Sequence, residues 1–379
     1  MSWPTQKLET VADFCLGKML DQKKNRGEHL PYLANVNVRW GEFDLADLRE
    51  MRFEQHELDR YGLKYGDIVM CEGGEPGRCA IWKEQCSSMM IQKALHRIRP
   101  HDCLRPEFLY YFFLYKGRTG HLASLFTGST IKHLPREKLA LVEVPVPPHS
   151  TQDQIASVLS AYDDLIENNR RRIQLLEQAA RLLYKEWFVH LRFPGHEHTP
   201  VIDGVPEGWE KMQVKDLLAK VKRPGKIQKA DYLSHGPIPC IDQSREFIGG
   251  YTNQIETMID ELPMIVFGDH TRILKFIDFP FACGADGTQL LATHDPKISQ
   301  EFFFFSLDEI DLSNYFYARH FKFLKDQHIL RPTDVLIDQF TGVARPILKQ
   351  IKILREQNAS LAKARDLLLP KLMNREVAV

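Results

Sequence analysis

The sequence predicts two mixed α/β (α+β) units, each followed by a long helix that belongs to a coiled coil. Three observations predict this fold class. The chain has 379 residues, more than one ordinary hydrophobic core requires. Short β-prone runs and helix-like segments are mixed in both halves of the chain. Two long stretches, one in the middle and one at the end, carry apolar residues in steps of three and four.

The first unit is predicted to span residues 1–150. It contains β-prone runs at 67–70 and 141–144 and a helix-like aromatic segment at 106–115. The glycine-rich segment 73–77 lacks the lysine of a nucleotide-binding loop, so it predicts a turn.

The first long helix is predicted in residues 151–190, after the strand-ending pair Pro147 and Pro148. Steps of three and four place one set of residues along a single face, which is the pattern of a coiled-coil seam. The predicted seam residues of this helix are Leu159, Tyr162, Ile166, Asn169, Ile173, Leu176, Leu183 and Trp187.

A second long helix is predicted in residues 346–379, because the same pattern returns after a shift of 185 positions. Pro370 lacks an amide hydrogen and is predicted to end this helix near Leu369, which makes it the shorter of the two. The predicted seam residues of this helix are Ile351, Leu354, Asn358, Leu361 and Leu368.

Two seams in one chain predict an antiparallel coiled coil and a pseudo-twofold molecule with one unit at either end. The alternative is a pair of ordinary amphipathic helices on separate cores. Asn169 and Asn358 occupy seam positions, where a polar side chain either fixes the register or marks a solvated seam end.

The proline- and glycine-containing residues 191–204 are predicted to be a linker. Residues 196–198 read His-Glu-His, which raises the alternative of a metal site, but they lack the helical spacing of a zinc protease. The second unit is predicted to span residues 205–345. Its β-prone or helix-like runs lie at 264–269, 279–281 and 298–307.

The charge of the chain is balanced, with 50 basic and 50 acidic residues, so any nucleic-acid binding must come from local patches. Several predicted loops combine cations with small hydroxyl or imidazole groups, which suit phosphates and base edges. A solvated charged face is the alternative for each of them. The candidate DNA-binding residues are Lys23, Lys24, Arg26, Ser129, Thr130, Lys132, Lys222, Arg223, His270, Arg272, Arg319 and Lys322.

The seven cysteines form no Cys-x-x-Cys pair, which favours a reducing compartment over a disulfide framework. Cys71, Cys79, Cys86 and His96 are more consistent with buried thiols than with zinc ligands, because their spacing matches no known zinc knuckle. The polar start and the absence of a long apolar run predict a cytoplasmic protein without a membrane partner. No motif for nucleotide or methyl-donor binding is found, so the chain is expected to be non-catalytic, with no metal of its own.

Several phrases of the sequence resemble the specificity subunits of type I restriction-modification systems, and the resemblance covers nearly the whole chain. The second long helix departs from it, because residues 340–346 replace a double proline and a Gln-x-Gln-Ile phrase. The phrases are VPVPP at 144–148, QDQI at 152–155, LLYKEWF at 182–188, PEGW at 206–209 and ARDLLLPKLM at 364–373.

The resemblance implies two target recognition domains, each reading one half of a bipartite, asymmetric site in double-stranded DNA. It implies methyltransferase subunits, two of them, docked on the helices and domains, and restriction-translocase subunits added for cutting. S-adenosylmethionine, ATP and magnesium would be bound by those partners and no cofactor by this chain. The alternatives are a coiled-coil scaffold that does not bind DNA and an enzyme with an unfamiliar active site.

The helices are also expected to act as a ruler. At about 1.5 Å per residue, helices of roughly 25 to 37 residues would separate the two domains by about 40 to 55 Å, slightly more than one DNA turn. Inserting one helical turn after Leu176 is therefore expected to lengthen the gap between half-sites by about one or two base pairs.

Overall fold

The computed structural model describes residues 3–21, 25–315 and 319–377. The chain divides into two compact units. Unit 1 comprises Met1–Glu167 with Asn358–Val379, and unit 2 comprises Asn168–Gln357. Both boundaries fall inside long helices, so each unit contains part of both helices.

Unit 1 consists of short strands, short helices and the first part of one long helix. Its strands are β1 (Thr5–Lys7), β2 (Ala12–Leu16), β3 (Glu28–Leu33), β4 (Arg49–Phe53), β5 (Ile68–Cys71), β6 (Cys79–Ile81), β7 (Met90–Ile91), β8 (Leu95–Pro100) and β9 (Glu143–Pro145). Its helices are α1 (Leu8–Val11), α2 (Leu58–Tyr61), α3 (Pro106–Arg118), α4 (Arg136–Ala140) and α5 (His149–Tyr184), which continues into unit 2 and ends in the π-helical turn Lys185–Val189.

Unit 2 is built in the same style. Its strands are β10 (Val201–Ile202), β11 (Val205–Pro206), β12 (Glu210–Gln213), β13 (Ile238–Ile241), β14 (Gly250–Thr252), β15 (Met258–Ile259), β16 (Met264–Gly268), β17 (Leu274–Ile277), β18 (Phe281–Cys283), β19 (Thr288–Leu291) and β20 (His328–Arg331). Its helices are α6 (Val214–Leu217), α7 (Gln300–Asp308), α8 (His320–Asp326) and α9 (Asp334–Met373), whose last part belongs to unit 1.

The central strands of the two units are paired in the same way. In unit 1, β3 is antiparallel to β4 and parallel to β7, and β5 is antiparallel to β6 and β8. In unit 2, β13 is antiparallel to β14 and parallel to β18, and β16 is antiparallel to β17 and β19. A further antiparallel pair closes each unit, β1 with β9 and β12 with β20. The predicted duplication of one mixed α/β design is therefore confirmed.

Aromatic helices form the centre of both hydrophobic cores. In unit 1, Phe108 of α3 is fully buried in a cluster that also contains Leu159 of α5 and Leu372 of α9. In unit 2, Phe302 of α7 is fully buried in a cluster with Phe340 of α9. Burying a phenylalanine side chain stabilises a fold by roughly 1.5–3 kcal/mol, so these aromatic residues fix the helix pair of each unit against its sheets.

The boundaries predicted for the second long helix are wrong. The helix was expected to start at residue 346 and to stop near Leu369, but α9 runs from Asp334 to Met373 and, with 40 residues against 36, is longer than α5. It passes through Pro346 and Pro370. Each proline removes one backbone hydrogen bond, but Phe340 before the first proline and Leu369 beside the second are buried. This burial offsets the cost of the two prolines.

The residues predicted as a linker contain regular structure. Strand β10 pairs with β11 in a short hairpin, and His196–His198 form a 3-10 turn. His196 is engaged locally, because its Nδ1 lies 2.8 Å from the carbonyl oxygen of Phe193.

Candidate nucleic-acid interface

The turn between β16 and β17 projects from the edge of the central strands in unit 2. The amide of Arg272 donates to the carbonyl oxygen of Gly268 at 2.8 Å, which closes the turn. Arg272 adopts a left-handed conformation, with φ of 62°, and its Nη1 donates to the carbonyl oxygen of Leu312 at 3.1 Å. His270 is exposed in the same turn. Two predicted DNA-binding residues therefore lie in one tight turn.

Gln243 joins this turn through hydrogen bonds to the segment after β13 and to the segment that contains Asp286. Its Oε1 accepts the amide of His270 at 3.0 Å, and its Nε2 donates to the carbonyl oxygen of Asp286 at 2.9 Å. Its backbone oxygen accepts the hydroxyl of Thr271 at 2.7 Å. A Cβ at Gly287 would lie 2.6 Å from Gln243 Nε2, and Gly287 has φ of 72°, so only glycine fits beside this amide.

Asp269 attaches the N-terminus of α8 to the same turn. Its backbone oxygen accepts the amide of His320 at 2.9 Å, and its carboxylate accepts the amide of Phe321 at 2.8 Å. Asp269 is itself buried. The exposed cations Arg319 and Lys322 are therefore held near the turn, because the two residues between them are both bonded to Asp269.

The remaining predicted cations of unit 2 lie at the same end of the sheet. Arg223 Nη2 donates to Gln289 Oε1 at 2.9 Å, and Gln289 stands opposite Phe267 in the pairing of β16 with β19. Lys222 is exposed beside Arg223. The structure thus brings together the candidates of unit 2 on one surface, the unit 2 loop surface, which comprises residues 222–223, 242–244, 268–273, 284–289 and 319–322.

A buried ionic contact supports this surface from below. Lys275 Nζ donates to the carbonyl oxygens of Asp242 and Glu246 at 2.8 and 2.5 Å. Burial lowers the pKa of Lys275 to about 8, although the Asp242 carboxylate opposes the shift. Burial alone would raise the pKa of Asp242, but hydrogen bonds from Ser244 and the charge of Lys275 lower it on balance. The segment that carries Gln243 is therefore held at both ends.

Unit 1 presents a loop closed by Thr127 and His133. The two residues exchange both backbone hydrogen bonds at 2.8 Å. Gly128 has φ of 92°, and a Cβ there would lie 2.1 Å from the carbonyl oxygen of Ile131, so the loop is tight. The predicted phosphate-contacting residues Ser129, Thr130 and Lys132 are exposed at its tip.

Two further segments adjoin this loop. His133 bridges to Gly73 in the turn between β5 and β6, and Arg78 of that turn donates Nη2 to the carbonyl oxygen of Asn35 at 2.8 Å. Asn35 follows the end of β3. Residues 34–37, 72–78 and 127–133 form the unit 1 loop surface.

Arg26 does not belong to the unit 1 loop surface. It precedes β3, whereas Asn35 follows that strand, and at about 3.3 Å per residue the two ends of the strand are roughly 20 Å apart. The candidates Lys23 and Lys24 lie outside the described residues.

The long helices are antiparallel in each unit. In unit 1, Asn358 Nδ2 donates to the carbonyl oxygen of Ile166 at 3.3 Å. In unit 2, Arg355 Nη2 donates to Glu177 Oε1 at 2.8 Å. The residues proposed for the seam are buried or half-buried: Leu159, Tyr162, Ile166, Asn169, Ile173, Leu176, Leu183, Trp187, Ile351, Leu354, Asn358, Leu361 and Leu368.

Cys71 and Cys79 are buried thiols, and burial raises the pKa of both, which keeps them protonated.

Among residues 3–21, 25–315 and 319–377, one group has three ligand atoms within 4.8 Å of one another, Glu54, His56 and Glu57. Glu57 in that group accepts from Lys18 Nζ at 2.5 Å, so the negative charge of its carboxylate is already paired with a lysine.

Across residues 3–21, 25–315 and 319–377, no helix combines the length and apolar character needed to cross a bilayer.

Sequence reasoning missed the residues that organise the two surfaces, namely Asn35, Gln243 and Asp269. Each of them follows a strand with a largely buried end, Leu33, Ile241 or Gly268. A polar residue one or two positions after the end of a buried strand is a detectable signal, since strand ends often carry binding groups on adjoining loops.

Three comparisons place the chain among known proteins. Residues 2–178 match the model of the type I restriction modification DNA specificity domain. The type I restriction enzyme MjaIX specificity subunit of Methanocaldococcus jannaschii is 25% identical, with 100% of this chain and 94% of that protein aligned. The MjaVIII specificity subunit of the same organism is 25% identical over 63% of this chain and 54% of that protein. The crystal structure of the type I restriction-modification system S subunit from M. genitalium has a similar fold, with a TM-score of 0.55, 16% identity, and coverage of 98% of this chain and 96% of that one.

Proposed function

We propose that this chain is a specificity subunit of a type I restriction-modification system, like the proteins that its sequence resembles, and that each unit reads one half of a bipartite, asymmetric target in double-stranded DNA. One observation carries the proposal. Two units with the same strand pairing each gather cations, hydroxyls or amides on exposed loops beyond one end of their central strands. Cations and hydroxyls suit phosphates, and amides and guanidinium groups suit base edges in the major groove.

The long helices are proposed to set the spacer between the half-sites and to dock two methyltransferase subunits. α5 exposes Leu175 and Leu182, at 56% and 60% of their surface. They are seven residues apart and so share one helix face. Exposed leucines on one face of a helix suit a protein partner better than water.

Catalysis is proposed to belong to the partners. Methylation would be performed by the methyltransferase subunits with S-adenosylmethionine. Cleavage would be performed by restriction-translocase subunits with ATP and magnesium. This chain would supply sequence recognition and no cofactor site.

Methylome sequencing of cells with and without this chain tests the proposal. We expect a two-part methylated motif that disappears when the chain is removed. Swapping unit 2 loop surface residues, such as His270 and Arg272, for alanine should relax one half of the motif and leave the other half unchanged. A methylome that is the same with and without the chain would contradict the proposal.

The scaffold alternative makes a different prediction. A scaffold that does not bind DNA would show no preference between the target duplex and a shuffled duplex, and any residual association would not fall steeply with salt. Turnover of DNA by the purified chain alone would support the enzyme alternative instead.

A further inference from the structure

Asn35 and Gln243 occupy equivalent positions in the two units. Leu33 ends β3 and Ile241 ends β13, and each of these residues takes part in a parallel strand pair. Asn35 and Gln243 each lie two residues beyond that pair. Both side chains are half-buried amides at the edge of a loop surface.

The neighbouring turn contacts both positions in the same way. In unit 1, Arg78 in the turn between β5 and β6 donates to the backbone oxygen of Asn35 at 2.8 Å. In unit 2, Thr271 in the turn between β16 and β17 donates to the backbone oxygen of Gln243 at 2.7 Å. The equivalence therefore extends from the strand register to the loop contacts.

The two amide groups differ in their partners. Both ends of the Gln243 amide are engaged, Oε1 with the amide of His270 and Nε2 with the carbonyl oxygen of Asp286. The side-chain amide of Asn35 makes no hydrogen bond to any residue in the described part of the chain. The Gln243 amide thus holds loops together, whereas the Asn35 amide retains one hydrogen-bond donor and one acceptor for another partner.

The loop beside Asn35 leaves room for its amide. Gly74 has φ of 79°, and a Cβ there would lie 2.7 Å from Asn35 Nδ2. The adjacent Gly73 bridges to His133, at the base of the loop that exposes Lys132. An unengaged amide therefore lies on the same surface as a cation suited to DNA phosphate.

Asparagine and glutamine side chains recognise adenine in the major groove by donating to N7 and accepting from the N6 amino group. We propose that Asn35 is a specificity-determining residue that reads one adenine in the half-site bound by unit 1, whereas Gln243 positions the unit 2 loop surface and reads no base. This inference rests on the proposed function and adds the residue and the base to it.

Methylome sequencing of cells that carry each variant in place of the wild type tests the inference. With Asn35→Ala, we expect the preference for adenine at one position of one half-site to fall about ten- to a hundredfold, and every other position to stay unchanged. Asn35→Asp conserves the shape but only accepts hydrogen bonds, so the preference at that position is expected to move towards cytosine, whose N4 donates. A structural role alone would not convert one base preference into another.

Leu141→Ala and Gln243→Ala are the controls. Leu141 lies in unit 1 outside the unit 1 loop surface and is 54% exposed, so its truncation is expected to leave the motif unchanged. Gln243→Ala is expected to weaken recognition of the whole half-site of unit 2 rather than of one base pair, because the hydrogen bonds of its side chain that hold three loop segments together are lost.

Two results would overturn the inference. One is an unaltered motif with both Asn35 variants, and the other is a uniform loss across the half-site of unit 1. If the wild type itself yields no two-part motif, the proposed function fails first, and that outcome is distinguished from the other two by the wild-type sample alone.

Discussion

Arg365 donates Nη1 to the carboxylate of Asp163, and this ion pair joins α9 to α5 within unit 1. Tyr111 of α3 donates to the same carboxylate at 2.7 Å. The shift of 185 positions that relates the helices places Leu348 and Ala180 at the equivalent positions of unit 2, where both belong to the hydrophobic core or pack against it. Unit 1 therefore contains a polar contact where unit 2 contains an apolar one.

Arg365→Ala is expected to destabilise unit 1 by about 3 kcal/mol, because the half-buried Asp163 carboxylate loses its cation. The double variant Asp163→Leu with Arg365→Ala reproduces the pair found in unit 2 and should recover most of this loss. Hydrogen exchange of α3 peptides measures both effects. A double variant that is less stable than the single variant would contradict this account of the ion pair.

Asp269→Ala removes the acceptor for the Phe321 amide and is expected to cost about 1–3 kcal/mol locally. Because Asp269 attaches α8 to the turn that carries His270, the half-site read by unit 2 should lose discrimination, and the half-site read by unit 1 should not. Asp269→Asn retains an oxygen acceptor and is expected to be milder. The methylated motif of each variant is the readout; equal loss in both half-sites would count against this role.

Lys132→Ala is expected to weaken binding to the target duplex and to a shuffled duplex by the same factor, because a phosphate contact carries no sequence information. The slope of log affinity against log salt should decrease in magnitude by about one. Fluorescence anisotropy at several salt concentrations measures both quantities. Lys363→Ala, at an exposed position of α9, is the matched control and should leave the slope as it is in the wild type.

Lys275 is expected to make the stability of unit 2 depend on pH. Its pKa is about 8 in the folded chain, against the ordinary value of 10.5. Between pH 8 and pH 10.5, Lys275 is therefore protonated to a greater extent in the unfolded chain than in the folded chain. The free energy of unfolding should rise with pH across that window, by up to about 3 kcal/mol from this residue.

The comparison with Lys275→Met isolates this contribution from tyrosines and cysteines that titrate in the same range. The stability of the variant relative to the wild type should be highest below pH 8 and should fall as the pH rises towards 10.5. Urea unfolding below, within and above the window measures the difference. A difference that does not change with pH would show that the lysine is not desolvated in the folded unit.

The sequence by itself determined the repeated design and the type of its main elements. The β-prone run at 67–70 is β5, the aromatic segment at 106–115 lies in α3, and the run at 264–269 is β16. These predictions depend on local periodicity and composition, which a linear pattern carries in full.

Tertiary structure decided which residues meet. Gln243 and His270 are 27 residues apart, and Asp269 and Phe321 are 52 residues apart. Such contacts are set by strand register and loop geometry, to which no local pattern is sensitive. The course of α9 through Pro346 and Pro370 was decided in the same way, because burial on both units' cores outweighs the helix-breaking tendency that proline has in isolation.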